Sequence, residues 1–137
     1  MLGLRGIRMA QVRPEVLDQQ LRALLQVSPL ERCRILLPMV SEVDELLQIR
    51  QRLDELCVEL ELTQRPELGV MIEVHAAALM AEKLAKPADF LSIGTNDLSQ
   101  YTLAMDRDPA GPAARVDSLH PARPLRSAQT SYGAATQ

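Results

Sequence analysis

A chain of 137 residues that is 47% hydrophobic is long enough for one domain with a real core, but 2% aromatics leaves Leu, Val, Ile, Met and Ala to fill it. A formal net charge of −3 and a pI near 5.4 argue against a general nucleic-acid surface, and no apolar run is long enough to cross a bilayer. Residues 1–10 carry Arg5 and Arg8 without an apolar segment, so they do not read as a signal peptide, and Cys33 and Cys57 lack metal or redox spacing. Two reduced thiols and a cytosolic location are expected.

Residues 2–8 are glycine-punctuated and basic. Arg5 and Arg8 beside glycines make either a plain basic loop or an anion site, since guanidinium forks match phosphate and carboxylate geometry. Pro14 suits the first turn of a helix whose apolar stripe is Leu17, Leu21, Leu24 and Leu25, opposite Asp18, Gln19 and Arg22. Ser28-Pro29 stops it. Residues 34–40 form a buried-strand candidate, followed by Ser41 as N-cap with Asp44 as its capping-box partner.

Leu46, Ile49, Leu53, Leu56 and Leu60 recur at spacings of 3 and 4, with Glu45, Arg50, Arg52, Asp54, Glu55 and Glu59 on the other faces. Two heptads fall short of a coiled coil, so a helix packed on a sheet is expected. A loop with Pro66 leads to a strand over residues 68–74 with Glu73 near its end, then to an alanine-rich helix over residues 76–86 that Pro87 ends.

In residues 89–107, Phe90, Leu91 and Ile93 predict a strand buried on both faces. Gly94 and Thr95 break it, and a helix carrying Leu98, Tyr101, Thr102 and Met105 follows, with Asn96 or Asp97 as N-cap in the simplest reading. Strands alternating with helices point to a parallel sheet with right-handed crossovers. From Asp108 onward prolines interrupt the chain and residues 127–137 are small and polar, which predicts a poorly ordered tail.

Polar groups gathered where strands give way to helices mark the active edge of α/β proteins. Glu73 and Asp97, at neighbouring strand ends, offer a hard-oxygen site suited to Mg²⁺. Arg5 and Arg107 could flank it and neutralise an anionic substrate, and Asn96 can donate a hydrogen bond; such a set stabilises phosphoryl transfer by positioning and charge. Zinc is disfavoured, because His75 and His120 have no partner ligands at suitable spacing.

Residues 89–107 read Asp-Phe-Leu-Ser-Ile-Gly-Thr-Asn-Asp-Leu-Ser-Gln-Tyr-Thr-Leu-Ala-Met-Asp-Arg. Without departure, this resembles the carboxy-terminal signature of phosphoenolpyruvate-utilising enzymes. Its Gln-Tyr-Thr-Leu-Ala-Met-Asp-Arg ending is more similar to the phosphoenolpyruvate–protein phosphotransferases (enzyme I of the bacterial sugar phosphotransferase system) than to the pyruvate, phosphate dikinases. Gly3 to Arg8 resembles the Gly-x-Arg-Gly-Ile-Arg segment of the same group, and Leu68 to Ala78 its Gly-Val-Met-x-Glu-x-Pro-Ala-Ala segment, with His75 where proline is usual.

The resemblance implies that Glu73 and Asp97 hold Mg²⁺ and that Arg5, Asn96 and Arg107 contact phosphoenolpyruvate, with Arg8 a weaker candidate. It implies that the phosphoryl group passes to a histidine on a separate domain and then to an HPr-type carrier, in an enzyme that works as a homodimer. His75 adds a titrating group near Glu73, either altering metal affinity or standing as a tolerated surface replacement. Neither His75 nor His120 sits in a phosphohistidine context.

The implied fold is part of a (β/α)₈ barrel. Such barrels take about 250 residues, and this chain supplies three strands and flanking helices: residues 1–107 as barrel fragment, 108–137 as irregular tail. The cysteine proton donor of the family is absent, so no catalytic residue is assigned. The leading expectation is a fragment of the phosphotransferase, incomplete for catalysis alone. The alternatives are a non-catalytic interaction or complementation module, an inactive remnant, and a fragment of a dikinase or phosphoenolpyruvate synthase.

Overall fold

Within residues 3–104, the span that the computed structural model describes, the chain is built on three parallel strands. They are β1 (Arg34–Leu37), β2 (Glu67–Ile72) and β3 (Phe90–Ile93), hydrogen-bonded in the order β1-β2-β3. Consecutive strands are neighbours, so each parallel pairing requires a crossover, and helices supply it. α1 (Arg8–Val12) and α2 (Pro14–Leu24) precede β1, α3 (Val43–Glu59) joins β1 to β2, α4 (His75–Leu79) and α5 (Ala81–Ala85) join β2 to β3, and α6 (Thr95–Leu103) follows. This is the α/β arrangement expected, consistent with part of a (β/α)₈ barrel. No helix among the described residues is long and apolar enough to cross a membrane.

Alternation along the strands decides which face is packed. Ile35 and Leu37 of β1 and Leu68, Val70 and Ile72 of β2 are buried in one cluster with the α3 stripe Leu46, Ile49, Leu53 and Leu56. The stripe is therefore a helix packed into the domain core. Leu60, the fifth residue of the pattern, lies just beyond α3 and is 39% exposed. Leu53 is fully buried whereas Leu47 on the same helix is 45% exposed. Leu53→Ala is expected to cost about 3 kcal/mol in a denaturant melt, from lost transfer energy plus a cavity. Leu47→Ala should change stability by less than about 0.5 kcal/mol.

Several local expectations are corrected. β1 ends at Leu37 rather than reaching Val40, because Met39 takes a left-handed conformation (φ 61°) that no strand accommodates. The N-cap of α3 is Glu42 instead of Ser41, and Glu45 replaces Asp44 as the residue that reaches back. Glu45 Oε2 accepts from the Ser41 amide at 2.7 Å, the Ser41 hydroxyl at 3.2 Å and the Glu42 amide at 3.1 Å. The longer glutamate arm spans the distance a capping box needs. The helix expected over residues 76–86 is divided at Met80 (φ −104°, ψ 12°) into α4 and α5.

β3 is not buried on both faces: Phe90, Leu91 and Ser92 are half-buried and Ile93 is 38% exposed. It pairs with β2 on one side and forms the edge of the described sheet on the other. Residues 8–12 form a short helix that starts at the last residue of the expected basic loop, and Pro14 occupies the first turn of α2 as expected.

Candidate functional site at the carboxyl edge of the sheet

Because the strands are parallel, their carboxyl ends form one rim. β1 delivers Pro38 and Met39 to it, β2 delivers Glu73, and β3 delivers Gly94 through Asp97. Glu73 is only 6% exposed. Its Oε1 accepts a hydrogen bond from the Met39 amide at 2.7 Å, so the turn after β1 fixes the carboxylate that follows β2.

The chain leaves β3 through Gly94, whose amide donates to the Ile72 carbonyl at 3.0 Å. A Cβ at Gly94 would stand 2.7 Å from Glu73 Cβ and 3.0 Å from its Oε2. Glycine at this point is what lets the buried carboxylate lie against the end of β3. Gly94 is also the N-cap of α6. The expectation that Asn96 or Asp97 caps the helix is thus corrected: both lie in its first turn, since the tight exit beside Glu73 starts the helix two residues earlier.

Asp97 meets the amino-terminal loop. Arg5 Nη2 lies 3.7 Å from Asp97 Oδ2, Arg5 Nη1 donates to the Tyr101 hydroxyl at 3.4 Å, and Gln100 Nε2 donates to Asp97 Oδ1 at 3.4 Å. Asn96 is exposed in the first turn of α6. The structure therefore brings Arg5, Glu73 and Asp97 to one rim with Asn96 beside them. Arg107 and His120 lie outside the described residues. Arg8 is half-buried as the first residue of α1, and His75 is exposed as the first residue of α4. Gly6, Met39 and Tyr101 were missed as parts of this edge. Tyr101 could have been found from its helical spacing to Asp97, whereas nothing local marks Met39.

Burial pushes the Glu73 carboxyl above the ordinary range; the Met39 amide opposes this, the Asp97 charge adds to it and the Arg5 guanidinium opposes it. A buried carboxylate that feels a second one favours a cation at the edge. No cluster of three or more His, Cys, Asp or Glu that could hold a metal occurs among the described residues. Two carboxylates alone suit Mg²⁺, which keeps water and substrate oxygens in its sphere, and do not suit zinc. Two concavities of about 440 and 490 Å³ flank α1 and α2, and neither is lined by Glu73 or Asp97.

The sequence fits the family described as "PEP-utilising enzyme, PEP-binding domain" over residues 1–132. It is 48% identical over 129 residues to a multiphosphoryl transfer protein of Xanthomonas campestris pv. campestris, covering 92% of this chain and 15% of that protein. It is 43% identical over 121 residues to a phosphoenolpyruvate-protein phosphotransferase of Mycoplasma genitalium, covering 88% and 21%. An Escherichia coli protein named for the phosphoenolpyruvate-dependent phosphotransferase system is 42% identical over 127 residues, covering 88% and 17%. The chain thus spans between 15% and 21% of the length of these relatives. A citrate lyase from Burkholderia xenovorans LB400 superposes with a TM-score of 0.67 at 19% identity, covering 88% of this chain and 38% of that one, which shows a shared fold.

Proposed function

The chain belongs to the PEP-utilising enzyme family, in its PEP-binding domain, and from that we propose that its carboxyl rim is part of the Mg²⁺ and phosphoenolpyruvate site of a phosphoenolpyruvate–protein phosphotransferase. The observation that carries this reading is the convergence of Glu73 and Asp97 from adjacent parallel strands, with the Arg5 guanidinium 3.7 Å from Asp97.

Glu73 and Asp97 hold Mg²⁺, which when bound supplies positive charge to the phosphoryl oxygens. Arg5 binds the anionic substrate through its planar fork of donors, and Asp97 and Tyr101 aim that fork. Asn96 donates from the first turn of α6, where the helix amides also favour an anion. Arg107 completes the set of cations. Glu73 itself is buried, so its charge is screened less by water than that of a surface carboxylate.

The phosphoryl group goes to a histidine on another domain of the longer protein and from there to an HPr-type carrier, in the cytoplasm. Neither His75 nor His120 receives it. Names of the relatives given above support a phosphotransferase over a dikinase. The three strands among the described residues are part of a barrel of eight, and we assign the transfer step to a homodimeric protein of the relatives' full length. The exposed Ile93 on edge strand β3 favours one second reading, a module that another chain completes.

Calorimetry on the full chain tests the site. Phosphoenolpyruvate should bind with a Kd of about 1 mM or tighter, roughly −4 kcal/mol, when Mg²⁺ is present, and not when it is removed. Equal heats with and without Mg²⁺ would refute the proposal.

A further inference from the structure

We infer that Gly6 and Met39 are positioning residues that couple the Arg5 loop to Glu73, so that the anion-binding arm and the metal-binding carboxylate are set by one shared contact. The inference takes its meaning from the site proposed above, but its structural part stands by itself. Three observations carry it.

Met39 is a long side chain with φ 61°, a conformation that costs a non-glycine residue about 1 kcal/mol or more. That conformation accompanies the 2.7 Å bond from its amide to Glu73 Oε1. Backbone strain held at such a bond is what pre-organised sites show.

Gly6, next to Arg5, has φ +52°, and a Cβ there would lie 2.8 Å from Met39 Cγ, 2.9 Å from Met39 Cβ and 3.0 Å from the Pro38 carbonyl oxygen. The loop thus rests directly on the residue whose amide holds Glu73.

The Ile7 amide donates to the Pro38 carbonyl at 3.2 Å, and Ile7 and Met39 are 5% and 4% exposed. This fastens the loop from its other side. A displacement of residues 5–7 therefore has to move Pro38 and Met39, and with them the partner of Glu73.

Gly6→Ala tests this, with Gly3→Ala as control. Both positions have positive φ, +119° at Gly3 and +52° at Gly6, so alanine is strained at each and at least as much at Gly3. A Cβ at Gly3, however, meets nothing within 4 Å, and only Gly6→Ala disturbs the contact. Amide hydrogen exchange is read at Met39 in the metal-free chain, with Leu53 as the reporter of global folding. Mn²⁺ affinity is read by electron paramagnetic resonance.

Gly6→Ala should speed exchange at Met39 at least tenfold and weaken Mn²⁺ binding at least fivefold, with Leu53 unchanged; Gly3→Ala should leave both within twofold. A Met39 rate within twofold of wild type in Gly6→Ala overturns the coupling. If Gly6→Ala unfolds the chain, Glu73→Ala reads it in reverse: exchange at Ile7 should rise at least threefold, and an unchanged Ile7 overturns it. Wild-type chain that binds no Mn²⁺ while Gly6→Ala still frees Met39 sinks the proposed function and upholds the contact.

Discussion

Glu73→Gln should abolish Mg²⁺-dependent phosphoenolpyruvate binding to the full chain, weakening it at least about 100-fold, or roughly 3 kcal/mol. Glutamine keeps the shape and an oxygen that can still accept from the Met39 amide, so the site stays built. What disappears is the charge. Burial and the neighbouring Asp97 hold the Glu73 carboxyl above its ordinary range in the metal-free protein, so ionised Glu73 destabilises the metal-free fold. The same substitution is therefore expected to leave metal-free stability unchanged or slightly higher. Thermal unfolding separates the two effects: Mg²⁺ with phosphoenolpyruvate should raise the wild-type Tm and leave that of Glu73→Gln where it was. Asp97→Asn should behave alike toward the metal and should also loosen Arg5, which lies 3.7 Å from Asp97. Equal ligand-induced shifts in wild type and both variants would remove the carboxylate pair from the site.

At the opposite edge of the sheet, Asp89→Ala is expected to cost about 2–4 kcal/mol of folding stability. Asp89 Oδ2 accepts from the Leu68 amide at 2.7 Å and from Arg50 Nη2 at 2.9 Å, while the Asp89 amide donates to the Leu68 carbonyl at 2.9 Å. Arg50 Nη2 also donates to the Pro87 carbonyl at 2.9 Å, and the Arg50 side chain is only 14% exposed. Removing the carboxylate strands the amide of a fully buried leucine and leaves a mostly buried guanidinium without its counter-charge. α3, β2 and the start of β3 are tied at this point.

Burial pushes the Asp89 carboxyl up, but the Leu68 amide and Arg50 outweigh it, so the net shift is downward. A carboxyl depressed on folding adds stability above its unfolded pKa and loses it as pH falls through the folded value. The gap between wild type and Asp89→Ala should therefore narrow below about pH 4. Urea melts at pH 7 and pH 3 measure this, and a gap under about 0.5 kcal/mol at pH 7 would contradict it.

The order of elements was legible because the pattern changes from the mostly apolar stretches 34–40 and 68–74 to the 3-and-4 stripe of α3. The rim was legible too, since Glu73 and Asp97 follow strand ends by one and four residues. Less local facts were hidden. Met39 is left-handed with its amide donated to a carboxylate 34 residues away, and no window around Met39 contains that information. The N-cap of α6 is Gly94, packed against Glu73; propensity favoured Asn96 or Asp97 instead. Met80 is a good helix former flanked by alanine and leucine, so nothing nearby announces the division between α4 and α5. Asp89 was read as the first letter of a signature, and its work is to tie strands together far from the rim.

Phe90 lies across Gly69, with ring carbons 2.5 Å from where a Cβ would stand, and Arg34 Cζ is 5.7 Å from the ring centroid. Register puts this stack at the first rungs of the ladder, while Glu73 and Asp97 lie past the last. The face of the sheet that carries Phe90 is therefore covered at the amino ends of the strands, opposite the rim that holds Glu73 and Asp97. Cutting Phe90 back to alanine should therefore uncover the strand starts around Gly69 and leave the rim of Glu73 and Asp97, at the far end of the same ladder, in place.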